Sequence, residues 1–265
     1  MSTPKREGKV WLVGAGPGAA DLLTLRAARA IEGAEAVLYD ALVPAEIVEL
    51  APRGALRIET GKRAHRPSMS QAAINRLMVK LARRGLRVVR LKGGDPSIFG
   101  RVGEELEHLA RAGVDAEVIP GVTAASAAAA QFQLPLTHRG VARRVVFATA
   151  RTEGGALRGD WRYEAETTLV LYMARDSLEA IVAALREQGM PDSTRLAVVE
   201  NAGRDNARLL RGSAGNAAAL ASAITRTAPA LVIIGDVVEA RQDYGSPNGL
   251  LKSVISTTVG TEIAA

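Results

Sequence analysis

Short apolar runs alternate along the chain with longer segments in which apolar residues recur every three or four positions, and this alternation predicts an α/β protein. The first apolar run covers residues 9–13, and a second, at residues 36–39, follows an amphipathic segment that Gly33 closes. A third run, at residues 86–91, is interrupted only by two arginines, so it suits a strand of a parallel sheet that is covered on both faces.

The remaining pattern extends this alternation to about residue 235. Residues 70–84 have helical spacing, with Ser70 as the N-cap and Gly85 as the stop. Further strands are predicted at residues 114–119, 144–148, 168–173, 195–199, 207–211 and 231–234, and further helices at 103–112, after Gly121, at 177–188 and at 215–225. A change of module near residues 135–139 indicates an N-terminal α/β domain over 1–136 and a C-terminal α/β domain over 137–245. We expect residues 246–265 to form a flexible tail.

Two predicted strands run directly into glycine-rich loops. Residues 14–19 read GAGPGA and residues 93–96 read GGDP, and glycine lets a backbone take positive φ and approach a ligand closely. With Asp40 at the end of the second predicted strand, the first loop satisfies the dinucleotide fingerprint of NAD and FAD oxidoreductases, and it is also similar to the glycine loop of methyltransferases. Pro17 removes a backbone N–H that a pyrophosphate would use, which favours a nucleoside without phosphates.

Composition excludes several kinds of chemistry. The 265 residues include no cysteine, which excludes thiol catalysis, disulfides and thiolate metal sites. The three histidines lie far apart without metal-ligand spacing, so we expect no metal. No apolar run is long enough to span a bilayer and the first residues are polar, so we expect a cytoplasmic protein with no membrane partner.

The chain is basic, with 34 Lys and Arg against 28 Asp and Glu. These charges are dispersed and aromatic residues make up only 3%, so we expect no nucleic-acid partner. A small molecule that carries several carboxylates is the alternative, because the guanidinium of arginine binds a carboxylate through two hydrogen bonds. The arginine-rich composition of a GC-rich genome would produce the same net charge.

Ten motifs occur in order between about residues 9 and 240. They are GAGPG at 14–18, YD with LV at 39–43, GKR at 61–63, VVRLKGGDPSIFGR at 88–101, EE at 104–105, PGVTAA at 120–125, PLTHR at 135–139, TLVLYM at 168–173, VEN at 199–201 and PALVIIG at 229–235. Together they resemble the uroporphyrinogen-III C-methyltransferases of the tetrapyrrole (precorrin) methylase family. The resemblance implies two α/β domains with the active site in the cleft between them.

The resemblance also implies a reaction. It is the S-adenosyl-L-methionine-dependent methylation of uroporphyrinogen III at C-2 and C-7, which gives precorrin-2 through precorrin-1 and releases S-adenosyl-L-homocysteine. The product feeds sirohaem, cobalamin or haem d1, and the family is typically homodimeric. A later precorrin C-methyltransferase of cobalamin synthesis is an alternative, against which the GKR and LTHR segments argue. A Rossmann-type NAD or FAD oxidoreductase stays open as a different class, although it leaves the GGDP loop unexplained.

Roles for single residues follow from the family motifs. The resemblance implies that Asp40 is the proton acceptor and Lys62 the proton donor. It implies that Arg101 binds a substrate carboxylate, that Glu104 binds a pyrrole N–H or a proton, and that Met173 also contacts the substrate. The residues implied in cofactor binding are Pro17, Gly93, Gly94, Asp95, Ile98, Thr123, Ala124, Met173 and Ala202.

Four segments depart from the family pattern, at residues 19–21, 101–105, 147–151 and 200–203, and the segment at 147–151 departs most. Residues 147–151 read FATAR where the family commonly has a TGH segment, so a histidine is missing. Any role of that segment in the family is therefore not expected to transfer to this chain.

Overall fold

The computed structural model describes residues 8–61, 69–150 and 161–239. The chain divides into two compact units, the first ending at Ala124 and the second beginning at Ala125. Each unit contains one five-stranded sheet with helices, which confirms the predicted α/β class with two modules. This division lies earlier than the predicted change of domain after residue 136, and the domain limits inferred from the sequence stay a prediction.

The first unit is built on a parallel sheet. Its strands are β1 (Lys9–Gly14), β2 (Ala36–Tyr39), β3 (Leu56–Glu59), β4 (Arg87–Lys92) and β5 (Ala116–Ile119), in the order β3-β2-β4-β1-β5. Its helices are α1 (Leu25–Glu32), α2 (Ala45–Glu49), α3 (Gln71–Arg83) and α4 (Val102–Arg111). All four strand pairings are parallel, as the apolar run at residues 86–91 predicted for β4.

Local signals in the sequence explain where two of these helices begin. The Thr24 hydroxyl accepts a hydrogen bond from the Ala27 N–H at 3.1 Å, and the Ser70 hydroxyl accepts one from the Ala73 N–H at 3.2 Å. Each cap satisfies a backbone donor that the first helical turn leaves without a partner. The predicted N-cap at Ser70 is therefore confirmed.

Helices cover both faces of the first sheet. Ile31 of α1 and Ile47 of α2 pack against one face, and Met78 of α3 and Leu109 of α4 pack against the other. Successive residues of β4 alternate between these faces, and Val88, on the face toward α3 and α4, belongs to the same apolar cluster as Met78.

The second unit contains a mixed sheet. Its strands are β6 (Arg144–Thr149), β7 (Thr167–Tyr172), β8 (Arg195–Glu200), β9 (Arg208–Ser213) and β10 (Ala230–Ile234), in the order β6-β7-β10-β8-β9. Its helices are α5 (Ala124–Gln131), whose first residue closes the first unit, α6 (Leu178–Glu187) and α7 (Ala217–Ser222). Among these five described strands, β6 and β7 pair in parallel, whereas β10 is antiparallel to β7 and β8, and β8 is antiparallel to β9.

The structure differs from the sequence prediction at one predicted strand and at two elements that were not predicted. The predicted strand at residues 168–173 ends at Tyr172, because Met173 takes a left-handed conformation with φ of 55°. The sequence pattern also missed β3 and α2, which are only four and five residues long. Within the described ranges, no helix combines the length and the hydrophobicity that crossing a bilayer requires.

Candidate functional site

The two glycine loops of the first unit lie at the carboxyl ends of neighbouring strands. In the strand order, β1 and β4 are neighbours. The chain runs from β1 through α1 toward β2 in one direction across the sheet, and from β4 through α4 toward β5 in the opposite direction. Adjacent parallel strands whose connections leave in opposite directions form the topological switch point at which open α/β sheets bind ligands. Here the loops touch: the Gly16 N–H donates to the Gly94 carbonyl at 3.2 Å, and the Gly94 N–H donates to the Gly16 carbonyl at 2.7 Å.

A third loop, after β5, packs into the same place. A Cβ atom on Gly14 would lie 2.6 Å from the Gly121 nitrogen, and a Cβ atom on Gly121 would lie 2.3 Å from the Gly94 oxygen. Gly94 itself has φ of +68°, and a Cβ added there would meet no atom closer than 3.8 Å, from the backbone of Thr123. Main chain therefore packs on main chain at this edge, and side chains would separate the three loops.

The Asp95 carboxylate ties two of these loops together. Its Oδ1 accepts a hydrogen bond from the Ser97 N–H at 2.8 Å, and its Oδ2 accepts one from the Gly121 N–H at 3.0 Å. The sequence suggested that Asp95 could hold a polar group, and the structure shows that each of its oxygens already binds main chain. Ile98, in the same loop, is half-buried.

A group of charged side chains lies at the same edge, on the face of the sheet that α3 and α4 cover. We call Asp40, Thr60, Arg90, Lys92 and Glu105 the buried charge cluster. The side chains of Arg90, Lys92 and Glu105 are only 3%, 4% and 0% exposed, whereas that of Asp40 is 35% exposed. The cluster therefore reaches solvent through Asp40.

Each cation of the cluster has its own main partner. The Arg90 Nη2 lies 2.5 Å from the Asp40 Oδ1, and the Lys92 Nζ donates to both carboxylate oxygens of Glu105 at 2.9 Å. A longer bond of 3.3 Å joins the Arg90 Nε to Glu105. Two cations face two carboxylates, so their formal charges cancel, as burial of charge requires.

Burial changes the proton affinity of Lys92. Loss of hydration lowers the pKa of the Lys92 ammonium below its usual value, and the positive charge of Arg90 lowers this pKa further. The Glu105 carboxylate acts in the opposite direction and raises the Lys92 pKa.

The two candidate substrate-binding residues of the first unit bind each other. The Arg101 Nε and Nη2 donate to the two oxygens of Glu104 at 2.8 and 2.7 Å, and both side chains are exposed. This hydrogen bonding lowers the pKa of Glu104. Arg101 precedes α4 with φ of 59°, a conformation that is uncommon outside glycine. The loop after β4 thus presents a guanidinium in the geometry that carboxylates bind.

Candidates of the second unit also lie at the ends of strands. β7 and β8 both run antiparallel to β10, so their carboxyl ends share one edge of the second sheet. Met173 follows β7 and is 50% exposed, and Ala202 follows β8 and is buried. The Gln131 side chain holds the turn around Ala202, because it accepts from the Gly203 N–H at 2.9 Å and donates to the Arg204 carbonyl at 3.0 Å.

Similarity to known proteins agrees with this arrangement. A family model described as tetrapyrrole (corrin/porphyrin) methylases matches residues 9–218. The chain belongs to the tetrapyrrole methylase family.

Three relatives illustrate the range of this family. The uroporphyrinogen-III C-methyltransferase of Pseudomonas aeruginosa is 46% identical over 231 residues, which cover 87% of this chain and 94% of that protein. The siroheme synthase of Pseudoalteromonas atlantica is 44% identical over 238 residues, which cover 89% of this chain and 52% of that protein. The chain thus spans about half the length of the siroheme synthases that it matches. A crystal structure of the Thermus thermophilus uroporphyrin-III C-methyltransferase with S-adenyl homocysteine has a TM-score of 0.76 and 39% identity, and the match covers 88% of this chain and 99% of that one.

Several candidates of this tetrapyrrole methylase come together within the first unit. A Cβ atom added to Gly94 would lie 3.8 Å from the Thr123 Cα and 3.9 Å from the Ala124 nitrogen. Pro17 directly follows Gly16, which pairs with Gly94. Gly93 is exposed beside this pair. Lys62 lies outside the described residues, and so does Arg151 of the segment that departs most from the family pattern.

Most of the buried charge cluster was not predicted from the sequence. No role was predicted for Thr60, Lys92 or Glu105, and Arg90 was interpreted only as an interruption of an apolar strand. One signal was available: Arg90 and Lys92 are two residues apart, so a strand must place both on one face. Within the described part of the chain, no group of three or more histidine, aspartate and glutamate side chains could hold a metal ion.

Proposed function

We propose that this tetrapyrrole methylase transfers methyl groups from S-adenosyl-L-methionine to C-2 and then C-7 of uroporphyrinogen III, and gives precorrin-2 through precorrin-1. The observation that carries the proposal is the pairing of Gly16 with Gly94, which joins the two glycine loops at the switch point of the first sheet, next to the end of β2 that bears Asp40. The name of the P. aeruginosa relative, which is matched over nearly its full length, supports the choice of substrate.

The loops fit a nucleoside that lacks phosphates. Gly14, Gly94 and Gly121 pack through main chain alone, so the polar groups that face a ligand here are backbone groups, and Pro17 offers no N–H to a phosphate. We propose that the cofactor is held by Pro17, Gly93, Gly94, Asp95, Ile98, Thr123, Ala124, Met173 and Ala202. Ile98 and Met173 would supply apolar contacts, whereas Asp95 would act mainly by fixing the loops.

When bound, S-adenosyl-L-methionine would supply a methyl group from its sulfonium to a nucleophilic pyrrole carbon, and sulfur would keep the electron pair of the broken C–S bond. The protein then has to orient the two molecules, exclude water and receive one proton from the cationic ring product. We propose that Asp40 accepts this proton and that Lys62 is a proton donor. The partial exposure of Asp40 would let a bound substrate reach it.

The acidic side chains of the substrate need cationic partners. Uroporphyrinogen III carries eight carboxylates, and Arg101 already binds the Glu104 carboxylate through two hydrogen bonds. We propose that Arg101 binds a substrate carboxylate in the same way, and that Glu104 then turns to a pyrrole N–H. The net charge of +6 would favour the approach of such a substrate.

The setting of the reaction is also a proposal. The names of the longer relatives point to sirohaem synthesis as the use of the product. We propose a homodimer, as the family resemblance implies. From the composition and pattern of the sequence we further propose a cytoplasmic protein that acts without a metal and without a nucleic-acid or membrane partner.

The test is anaerobic incubation of the purified protein with uroporphyrinogen III and S-adenosyl-L-methionine, followed by oxidation and mass spectrometry. We expect two added methyl groups, and none when the cofactor is omitted. Addition of one methyl group would support the proposed methylation but contradict the proposed second methyl transfer. If the protein binds S-adenosyl-L-homocysteine in calorimetry and adds no methyl group, the substrate is another precorrin. Tight binding of NAD or FAD would instead favour an oxidoreductase.

A further inference from the structure

The buried charge cluster contains one carboxylate that the proposed reaction does not use. Glu105, in the first turns of α4, has a fully buried side chain. It accepts hydrogen bonds from Lys92 at 2.9 Å, from Arg90 at 3.3 Å and from the Gln71 Nε2 of α3 at 3.0 Å. Burial of a carboxylate costs free energy, and these donors offset that cost. Glu105 and its partners therefore depend on one another for their positions.

Two cations of the cluster lie near Asp40, and Glu105 binds one of them, Lys92, through both of its oxygens. Arg90 and Lys92 lie on the same face of β4, two residues apart, and their positive charges repel each other. Asp40 lies close enough to Lys92 to raise its pKa, so Asp40 is the other anion available to Lys92. Both oxygens of Glu105 bind Lys92. Among the described residues, the main cationic partner of Asp40 is therefore Arg90, whose Nη2 lies 2.5 Å from the Asp40 Oδ1.

The contacts of the Asp40 carboxylate with described side chains all involve one of its oxygens. Both the Arg90 Nη2 and the Thr60 hydroxyl bind the Oδ1 of Asp40, the latter at 3.2 Å. Among the residues that the structure describes, none binds the Oδ2. A second cation on this carboxylate would take that oxygen and would lower its capacity to receive a proton.

We propose that Glu105 is a positioning residue for methyl transfer: it holds Lys92 away from Asp40, so that Arg90 and the Thr60 hydroxyl orient this carboxylate through its Oδ1 and the Asp40 Oδ2 receives the proton. The inference rests on the proposed function, because it requires Asp40 to be the proton acceptor. Glu105 acts through Lys92 and Arg90, because its own side chain is fully buried.

The experiment compares Glu105→Gln with the wild-type protein in steady-state methylation of uroporphyrinogen III. The amide keeps the size of the side chain and removes its charge, so Lys92 is left to compete for Asp40. We expect kcat to fall at least tenfold, while KM for both substrates and the Kd for S-adenosyl-L-homocysteine change less than threefold. Glu107→Gln, on the exposed side of the same helix, is the control and should match the wild type.

A second variant separates positioning from folding. In the double variant Lys92→Met/Glu105→Gln the competing cation is absent, so Arg90 should again pair with Asp40 alone and kcat should return to within threefold of the wild type. This variant also decides the matter if Glu105→Gln does not fold. The inference would be overturned by a double variant that folds but has the same kcat as Glu105→Gln, or a kcat more than tenfold below that of the wild type.

The outcomes also separate the inference from the proposed function. If neither the wild type nor Glu107→Gln methylates uroporphyrinogen III, the proposed function is wrong and the inference fails with it. If both methylate it and Glu105→Gln does so at the same kcat, only the inference is wrong. A rise in KM with unchanged kcat would place Glu105 in substrate binding and would likewise overturn the positioning role.

Discussion

Replacement of Gly121 by alanine tests whether the three glycine loops must pack through main chain. A Cβ atom at this position would lie 2.3 Å from the Gly94 oxygen and 2.9 Å from the Gly14 Cα, and both neighbours are backbone atoms that cannot rotate away. The loops would therefore have to separate. Separation would break the 3.0 Å bond from the Gly121 N–H to Asp95 and weaken the pairing of Gly16 with Gly94.

The loss of stability in Gly121→Ala has two contributions, overpacking and broken hydrogen bonds. Overpacking of a tight site costs about 1–3 kcal/mol, and each main-chain hydrogen bond lost costs about 1 kcal/mol. We expect Gly121→Ala to lower the free energy of unfolding by about 2–4 kcal/mol. We also expect it to weaken S-adenosyl-L-homocysteine binding by about tenfold or more, since tenfold corresponds to only about 1.4 kcal/mol.

Denaturant unfolding and calorimetric titration with S-adenosyl-L-homocysteine measure the two effects. Gly103→Ala is the matched control, because Gly103 lies in α4 and a Cβ there would meet no atom within 4 Å. Alanine is the better helix former, so this control should be neutral or slightly stabilising. A Gly121→Ala protein that is as stable as the control and binds the ligand equally well would refute the proposed packing of the loops.

Three further predictions concern the charged groups. Asp40→Asn should lower kcat by about 10²–10⁴-fold, the usual contribution of a positioned acid or base, and an unchanged rate in the mass-spectrometric assay would exclude Asp40 as the proton acceptor. Arg101→Gln should raise KM for uroporphyrinogen III about tenfold, because a charge-assisted hydrogen bond contributes about 1.5–3 kcal/mol. The Kd for S-adenosyl-L-homocysteine should stay constant. Equal losses of affinity for both molecules would contradict a role of Arg101 in substrate binding. The pKa of Lys92 in the folded protein lies below its value of 10.5 in the unfolded chain. Between these two pKa values the unfolded chain binds more protons than the folded protein. The stability of the wild type relative to Lys92→Met should therefore rise with pH over that window. Denaturation curves taken at several pH values would show this rise, and a flat difference would mean that burial does not lower the Lys92 pKa.

Local signals in the sequence were sufficient for most elements of the fold. The N-cap at Ser70 and the stop at Gly33 are properties of a few neighbouring residues, and they lie where the pattern predicted them. The same holds for β2, whose bounds Ala36–Tyr39 agree with the apolar run. β3 was missed because it is a short edge strand in which Leu56 is 45% exposed, so no buried face marks it in the sequence.

The order of the strands and the partners of the charged groups depend on tertiary structure. Arg90 and Glu105 are 15 residues apart, and Arg90 and Asp40 are 50 apart, so no local pattern connects them. They meet because β2 and β4 pair in parallel with Leu38 opposite Arg90, and because α4 packs on that face. The sequence could indicate that two charges share one face of β4, but not which carboxylate each of them binds.

The sequence by itself determined the α/β class, the family and the two glycine loops, because periodicity, glycine and proline act through neighbouring residues. Only the tertiary structure decided that these loops touch through Gly16 and Gly94, that Asp95 binds main chain, and that Met173 leaves its strand in a left-handed conformation. The physical reason is that such contacts join segments distant in the chain. Their geometry depends on strand register and helix packing, which are properties of the whole sheet rather than of any one segment.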